Sequence, residues 1–170
     1  MLLDRTGVID DRWSVVIADD PTPDGPAILP RERLAEATGR TGPTGLHIAN
    51  DADPHDLVAA FDRLALISVG FPSFADGRGF SVARVLRELD FTGRLRATGP
   101  VIADQFAYLL ECGFDEVAVP ESIAQRQPAE QWLEQLSRLS TTYQRGALAG
   151  AADRGVERAS ILDQRRGASR

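Results

Sequence analysis

The chain has 170 residues, of which 43% are hydrophobic and 26% are charged, and its formal net charge is −6. This composition is typical of a folded domain, and the length suits one domain but not a complete eight-stranded α/β barrel of roughly 250 residues. The negative charge argues against a general nucleic-acid binder. Neither a membrane-spanning run nor a secretory signal is recognisable. We therefore expect a cytoplasmic protein that binds neither nucleic acid nor membrane.

Residue types that are absent or rare exclude several kinds of chemistry. All 19 basic residues are arginine, which excludes Schiff-base formation on a lysine. The single cysteine, Cys112, excludes an internal disulfide and an iron–sulfur cluster within one chain, and it is expected to be a small buried residue without a cation beside it. His47 and His55 are too few for a histidine-rich metal site, and neither stands in a pattern typical of a catalytic base. The sequence thus predicts no metal site and identifies no cofactor.

Short apolar segments alternate with segments of helical periodicity, a pattern typical of parallel βαβ units. In chain order the predicted elements are strand 13–18, helix 31–39, strand 45–50, helix 53–64, strand 65–72, helix 79–89, strand 93–99, helix 101–113, strand 115–120 and helix 128–145. The Pro-, Asp- and Gly-rich stretch between the first strand and the first helix predicts a loop. We predict an α/β fold with a mainly parallel sheet of about five strands, built from successive βα units and either open or shaped like part of a barrel.

The domain organisation follows from the same pattern. Residues 1–146 are predicted to form a single domain, and residues 147–170, rich in Ala, Gly and Arg, are predicted to form a mobile C-terminal tail. Asp53 is a suitable N-cap for helix 53–64, and Pro54 suits its first position. The nearly continuous apolar run 65–72 suits a central strand that is buried on both faces.

Two loops follow predicted strands at their carboxyl ends, where ligands of parallel sheets gather and helix N-termini direct N–H groups outward. The first loop is 74–79, after strand 65–72, and the second is 98–105, after strand 93–99. Because consecutive strands of βα units lie close together, we expect these loops to share one crevice.

The first loop contains Asp76, a candidate cap for the following helix, and Gly77 and Gly79, which allow a positive φ or a close approach of the backbone. Arg78 would stand at a helix N-terminus, where the helix dipole disfavours a cation. Two interpretations of Arg78 stay open. It clamps a bound anion, or it belongs to a turn in which it is solvated or paired with a carboxylate such as Asp76.

The second loop follows a strand in which Arg94 and Arg96 alternate with apolar residues, so both arginines point to one side. We expect Arg94 at the solvent edge and Arg96 near the crevice. Asp104 and Gln105 are suitable partners for Arg96 or hydrogen-bonding groups for a ligand. Arg84 and Arg87, by contrast, are expected on a solvated helix face.

The segment 71–119, FPSFADGRGFSVARVLRELDFTGRLRATGPVIADQFAYLLECGFDEVAV, resembles the bacterial family called domain of unknown function 934. The typical motifs of that family are FPxFxDGRGxSxARxLR, GxLRAxGDVLxDQ and RCGFD, and the similarity covers most of residues 13–144. The matching positions are Phe71, Pro72, Asp76, Gly77, Arg78, Gly79, Ser81, Ala83, Arg84, Arg87, Leu95, Arg96, Ala97, Gly99, Asp104, Gln105, Cys112, Gly113, Phe114 and Asp115.

Members of this family are commonly encoded beside genes for assimilatory sulfite reductase and are often labelled as probable oxidoreductases of sulfite reduction. The resemblance therefore implies a pathway, with sulfite reductase or another sulfur-assimilation protein as a partner. Pro100, Ala103 and Glu111 depart from the family pattern, which usually has an acid, an arginine and an arginine at these positions. An activity that depends on those three groups would be altered in this chain.

Three functions stay open at this stage. The first is an accessory protein of assimilatory sulfite or sulfate reduction that binds a small oxyanion or a reductase component. The second is an enzyme acting on an anionic substrate at the loops 74–79 and 98–105, and the third is a non-catalytic interaction module that self-associates through helix 128–145. An independent oxidoreductase is disfavoured because no motif for an electron carrier is present. The candidate ligand-binding residues are Asp76, Gly77, Arg78, Gly79, Ser81, Arg96, Asp104 and Gln105.

Overall fold

The computed structural model describes residues 1–136, and Met1–Gln135 form one compact unit. Residues 129–136 are helical, in agreement with the start of the last predicted helix. The remainder of that helix, and the predicted mobile tail 147–170, lie outside the described residues. None of the helices in the described part is long and apolar enough to cross a membrane.

One curled, open sheet with the shape of a half-barrel forms the centre of this unit, in a mixed α/β fold. Strands β3 to β8 are parallel and lie in sequential order, and the hairpin of β1 and β2 extends the sheet antiparallel beside β8. The strands are β1 Leu2–Asp4, β2 Gly7–Val8, β3 Ser14–Val15, β4 Ala27–Pro30, β5 Thr44–Ile48, β6 Leu66–Gly70, β7 Arg94–Thr98 and β8 Glu116–Ala118. The mainly parallel sheet is therefore confirmed, but the number of five strands is wrong, since the sheet has eight.

The predicted helices are present between the parallel strands. The α-helices between them are α1 Leu34–Gly39, α2 Arg78–Glu88 and α3 Phe106–Glu111, and 3₁₀ turns cover Arg31–Arg33, Pro54–Arg63 and Ala103–Gln105. Helix α4 Glu121–Ala124 follows β8 and precedes the helical residues 129–136. The Asp53 cap is confirmed, because its Oδ1 accepts a hydrogen bond from the backbone N–H of His55 at 3.0 Å. Pro54 is the first residue of its helical segment.

Three strands, β1, β2 and β4, were not predicted. The Pro- and Gly-rich stretch assigned to a loop contains β4, which lies between β3 and β5 and buries Ala27, Ile28 and Leu29. The β1–β2 hairpin is too short for a periodic pattern, and β1 pairs with β8 at the other end of the described chain. Strand β6 is buried as predicted for a central strand.

The two faces of the sheet differ in chemistry. Right-handed connections between sequential parallel strands place the helices on one face, which is apolar and includes Leu46, Ile67 and Leu95. On the other face, cross-strand pairing aligns one row of mostly polar side chains. The row runs through Pro30, His47, Ser68, Arg96, Glu116 and Asp4. This polar row leads toward the candidate site.

Arg87 does not lie on a solvated helix face, so that prediction is wrong. Its guanidinium donates to the backbone carbonyls of Gly113, Phe91 and Gly93 at 3.0, 2.6 and 2.8 Å, and to the Asp115 carboxylate at 2.7 Å. Arg87 therefore joins the end of α2 to the turn before β7 and to the turn before β8.

Arg87→Ala is expected to lower the free energy of unfolding by about 3 kcal/mol, because it leaves several carbonyl groups without a donor. Arg84→Ala is the matched control on the same helix, where the guanidinium contacts Tyr108 at an exposed position, and it should cost less than about 1 kcal/mol. Urea denaturation measures both. An equal loss in the two variants would contradict the structural role of Arg87.

Candidate functional site

The two loops predicted to share a crevice are in contact. The side-chain Nε2 of Gln105 donates to the carbonyl of Phe74 at 2.8 Å, and the N–H of Phe71 donates to the carbonyl of Thr98 at 2.7 Å. A cavity lies beside this contact, on its β5 side, at the carboxyl ends of three neighbouring strands.

This cavity, named here the β5–β7 cavity, has a volume of about 430 Å³. Its lining combines side chains from β5 and its following loop with the ends of β6 and β7. The residues are His47, Ala49, Asn50, Asp51, Gly70, Phe71, Pro72 and Thr98. Its position, at strand carboxyl ends, is the usual one for a ligand site in a parallel sheet.

A chain of hydrogen bonds leads from the cavity into the sheet. The Nδ1 atom of His47 lies 3.1 Å from Ser68 Oγ, and Ser68 Oγ lies 2.8 Å from Thr98 Oγ1. Burial lowers the pKa of His47 below its ordinary value, against an opposing effect of the Glu32 charge. His47 is therefore neutral at pH 7, with one ring nitrogen able to donate and the other to accept.

Asn50 supplies a buried amide to the same cavity. The residue is only 5% exposed, and its Nδ2 atom has no hydrogen-bond partner. Nδ2 lies near enough to Asp76 to contribute to lowering the pKa of that carboxyl, but it does not reach it with hydrogen-bond geometry. A buried donor without a partner costs roughly 1–3 kcal/mol, so this atom points to a missing acceptor.

Asp76 and Arg78 form a close ion pair next to Asn50 and Asp51. Arg78 Nε and Nη2 donate to the two carboxylate oxygens of Asp76 at 3.0 and 2.7 Å. These bonds hold the pKa of Asp76 well below its usual range and raise that of Arg78. Arg78 Nη1 has a longer contact of 3.6 Å to Asp51, whose side chain is 63% exposed. Arg78 is thus paired with Asp76, while Asp51 is a loose second partner.

The loop glycines have structural explanations. Gly77 is the N-cap of α2 with φ −83°, so the suggestion of a positive φ is wrong there. Asp76 precedes this N-cap, so it is not the cap itself, although its Oδ1 accepts a hydrogen bond from the N–H of Arg78 at 3.3 Å. A Cβ atom on Gly79 would lie 2.5 Å from the Phe71 ring, so the predicted close approach is confirmed at Gly79. Ser81 is exposed on α2 and does not line the cavity.

Arg96 lies away from the β5–β7 cavity, in the polar row of the sheet. It is 2% exposed, its Nε donates to Glu116 at 2.7 Å, and its Nη1 and Nη2 donate to Asp11 at 2.9 and 3.0 Å. The suggested partners Asp104 and Gln105 are therefore wrong for Arg96. Arg94 also donates to Glu116 and is 47% exposed, which confirms that both arginines point to one side and that Arg94 is at the solvent edge.

The remaining predicted positions lie around the second loop. Asp104 is exposed, and Gln105 bridges the loops as described above. Cys112 is buried as expected, but the Arg84 guanidinium lies beside its thiol, so the expectation of no nearby cation is wrong. Of the residues that depart from the family motif, Ala103 is buried and Glu111 is exposed. Within residues 1–136, no group of three or more His, Cys, Asp or Glu is arranged to hold a metal ion.

Sequence reasoning missed His47, Asn50, Ser68 and Thr98, the polar groups that the cavity brings together. The signal available was that His47, Ser68 and Thr98 are polar residues at alternating positions of strands that also carry buried apolar residues. Polar positions that alternate along strands indicate a shared face, but only the cross-strand register shows that they meet. Asn50 has no such pattern, since its burial depends on how its loop folds.

Comparison with known proteins supports the motif resemblance. The family model described as bacterial protein of unknown function (DUF934) matches residues 45–152, which include most of β5, all of β6 to β8 and both loops. No curated protein and no solved structure matched the chain. Since the matched segment covers more than half of the sequence, the chain belongs to the DUF934 family.

Proposed function

We propose that this chain is an accessory protein of assimilatory sulfite or sulfate reduction that binds a small oxyanion in the β5–β7 cavity. The pathway is suggested by the motifs that resemble those of sulfite-reduction-associated proteins. The partner in this role is sulfite reductase or another sulfur-assimilation protein. The observation that carries the ligand proposal is the buried Nδ2 of Asn50, which lines the cavity without a hydrogen-bond partner.

An oxyanion supplies the acceptors that this site needs. Asn50 Nδ2 offers a donor, the Thr98 hydroxyl lines the same cavity, and Arg78 Nη1 is held only by the long contact to Asp51. Exposed ion pairs of this kind contribute little, so a ligand oxygen can replace Asp51 at small cost. Asp51 is therefore a competitor of the ligand for Arg78.

A small-molecule enzyme is the second candidate, and one observation favours it. The hydrogen-bonded chain from Thr98 through Ser68 to His47 connects a cavity hydroxyl to a neutral imidazole. A neutral imidazole within reach of a substrate proton is the usual arrangement for general acid–base catalysis.

Isothermal titration with sulfite, sulfate and phosphate tests oxyanion binding. Asn50→Ala should weaken sulfite binding roughly tenfold, because one hydrogen bond to a charged ligand is lost. Asp51→Asn should strengthen it several-fold, because it removes a competing negative charge. Gln125→Ala, which alters an exposed amide bonded to Glu121, is the matched control and should change nothing.

Three outcomes of this titration would count against the proposal. If none of the three anions bound, the proposal that the protein binds an oxyanion would be contradicted. If binding were unchanged in Asn50→Ala, the oxyanion would bind at a site other than the β5–β7 cavity. If phosphate bound more tightly than sulfite, oxyanion binding would stand but the link to sulfite reduction would lose its support.

The pH dependence of sulfate binding reports on His47. Protonation adds a positive charge to the cavity, so affinity is expected to rise as pH falls through the His47 pKa, which burial lowers in the free protein. Sulfate keeps one protonation state over this range, so the change belongs to the protein. By linkage, bound sulfate should raise the His47 pKa measured by NMR. His47→Gln should flatten the profile, and a profile that stays unchanged in this variant would contradict the assignment.

A further inference from the structure

A second cavity lies on the other side of Thr98 from the β5–β7 cavity. This N-terminal cavity has a volume of about 640 Å³, and Thr98 lines both cavities. Its walls are mainly apolar and come from the N-terminal segment and from the ends of β7 and β8. The apolar wall includes Leu2, Val8, Ile9, Pro100, Ala118 and Val119.

The backbone after Thr98 allows the two cavities to approach each other. Gly99 has φ +136°, and a Cβ atom there would lie 2.1 Å from the carbonyl oxygen of Phe71. Only glycine fits this position, so β7 turns out of the sheet against the loop after β6 without a side chain between them. Thr98, next to this turn, is the residue that the linings of the two cavities share.

We infer that the ligand is an organic oxyanion with its charged head in the β5–β7 cavity and an apolar group in the N-terminal cavity. This inference rests on the proposed oxyanion site and names the class of molecule that fills it. Each volume lies within the roughly 300–1,000 Å³ typical of small-molecule sites. A sulfonate or a phosphate monoester with one ring-sized apolar group has the required chemistry.

The donor of Asn50 and the apolar surface of the N-terminal cavity set the direction in which such a molecule binds. The ionisable groups of the N-terminal cavity are Asp10, Asp11 and the Met1 ammonium, and that ammonium donates to the carbonyl of Val119 at 2.9 Å. Asp11 is already bound to Arg96. Both cavities carry carboxylates, since Asp51 lines the β5–β7 cavity, so charge alone does not choose between them. The β5–β7 cavity offers the buried, unpartnered donor of Asn50 for the head, and the mainly apolar walls of the N-terminal cavity suit the apolar group. The apolar group therefore occupies the N-terminal cavity.

Titration of the full chain with methanesulfonate, benzenesulfonate and phenyl phosphate tests this inference. Benzenesulfonate should bind roughly tenfold more tightly than methanesulfonate, because its ring buries apolar surface. Phenyl phosphate distinguishes a sulfonate head from a phosphate head. Ala118→Phe, which fills the N-terminal cavity, should abolish the gain from the ring and leave methanesulfonate binding unchanged.

A second variant keeps the test independent of packing at Ala118. Val8→Glu adds a negative charge to the N-terminal cavity at a residue that is 59% exposed, and it should also abolish the gain. Val58→Glu is the matched control, since Val58 is 45% exposed and lines neither cavity. Circular dichroism establishes that all three variants are folded.

The outcomes separate this inference from the proposed function. Equal affinities for methanesulfonate and benzenesulfonate would overturn the two-part ligand and leave the oxyanion site intact. A benzenesulfonate affinity that is unchanged in Asn50→Ala would also overturn it, because the ring would then bind without the head. If neither sulfonate nor any inorganic anion bound, the proposed function itself would fail and the inference with it.

Discussion

The burial of Arg96 is the constraint on which much of the sheet depends. A buried guanidinium without partners costs several kcal/mol, and here it is satisfied by Glu116 on β8 and by Asp11 from the N-terminal segment. The pairing of Arg96 with Glu116 holds only in the observed register of β7 and β8. A slip of one residue would turn these charges toward the helices and leucine side chains toward the polar face. The charge cluster therefore specifies register as well as the position of the N-terminal segment.

The same division into faces explains where the candidate site lies. Helices cover the apolar face, so a ligand can reach only the other face and the carboxyl ends of the strands. The polar row contributes His47 and Ser68, and the strand ends contribute Asn50 and Thr98. Arg78, the most conspicuous residue of the glycine-rich loop, is paired with Asp76 and stands at the margin of the cavity. Its Nη1 contacts Asp51, which lines the cavity, and this is the contact that a ligand oxygen would replace.

The parts of the fold that local patterns determine were predicted from the sequence, and the parts that depend on distant pairing were not. The parallel strands between helices follow from periodicity and turn residues, as in the apolar run around β6 and the cap at Asp53. Strand β4 was not predicted because it lies in a stretch rich in Pro, Asp and Gly, a composition typical of loops. It forms a strand because it pairs with β3 on one side and β5 on the other. The spacing of Arg87 along α2 predicts a solvent-exposed position. In the structure its guanidinium instead donates to the carbonyls of Phe91 and Gly113, in turns that pack against the helix. The sequence pointed to the loops after β6 and β7, and the residues that line the cavity at these strand ends became visible only with the register.

The tie between Asp11 and Arg96 also has a consequence for the order in which the chain folds. The two residues are 85 positions apart, and the Met1 ammonium bonds to Val119 across 118 positions. During synthesis, β1 therefore has no β8 to pair with until nearly all of the sheet has been synthesised. Until then Leu2 and Leu3, which are buried in the folded protein, are exposed to solvent. Closing so long a loop is slow, so the N-terminal hairpin joins late and the sheet edge at β8 stays open until it does. The segment that walls the N-terminal cavity is thus the last part of the sheet to be completed.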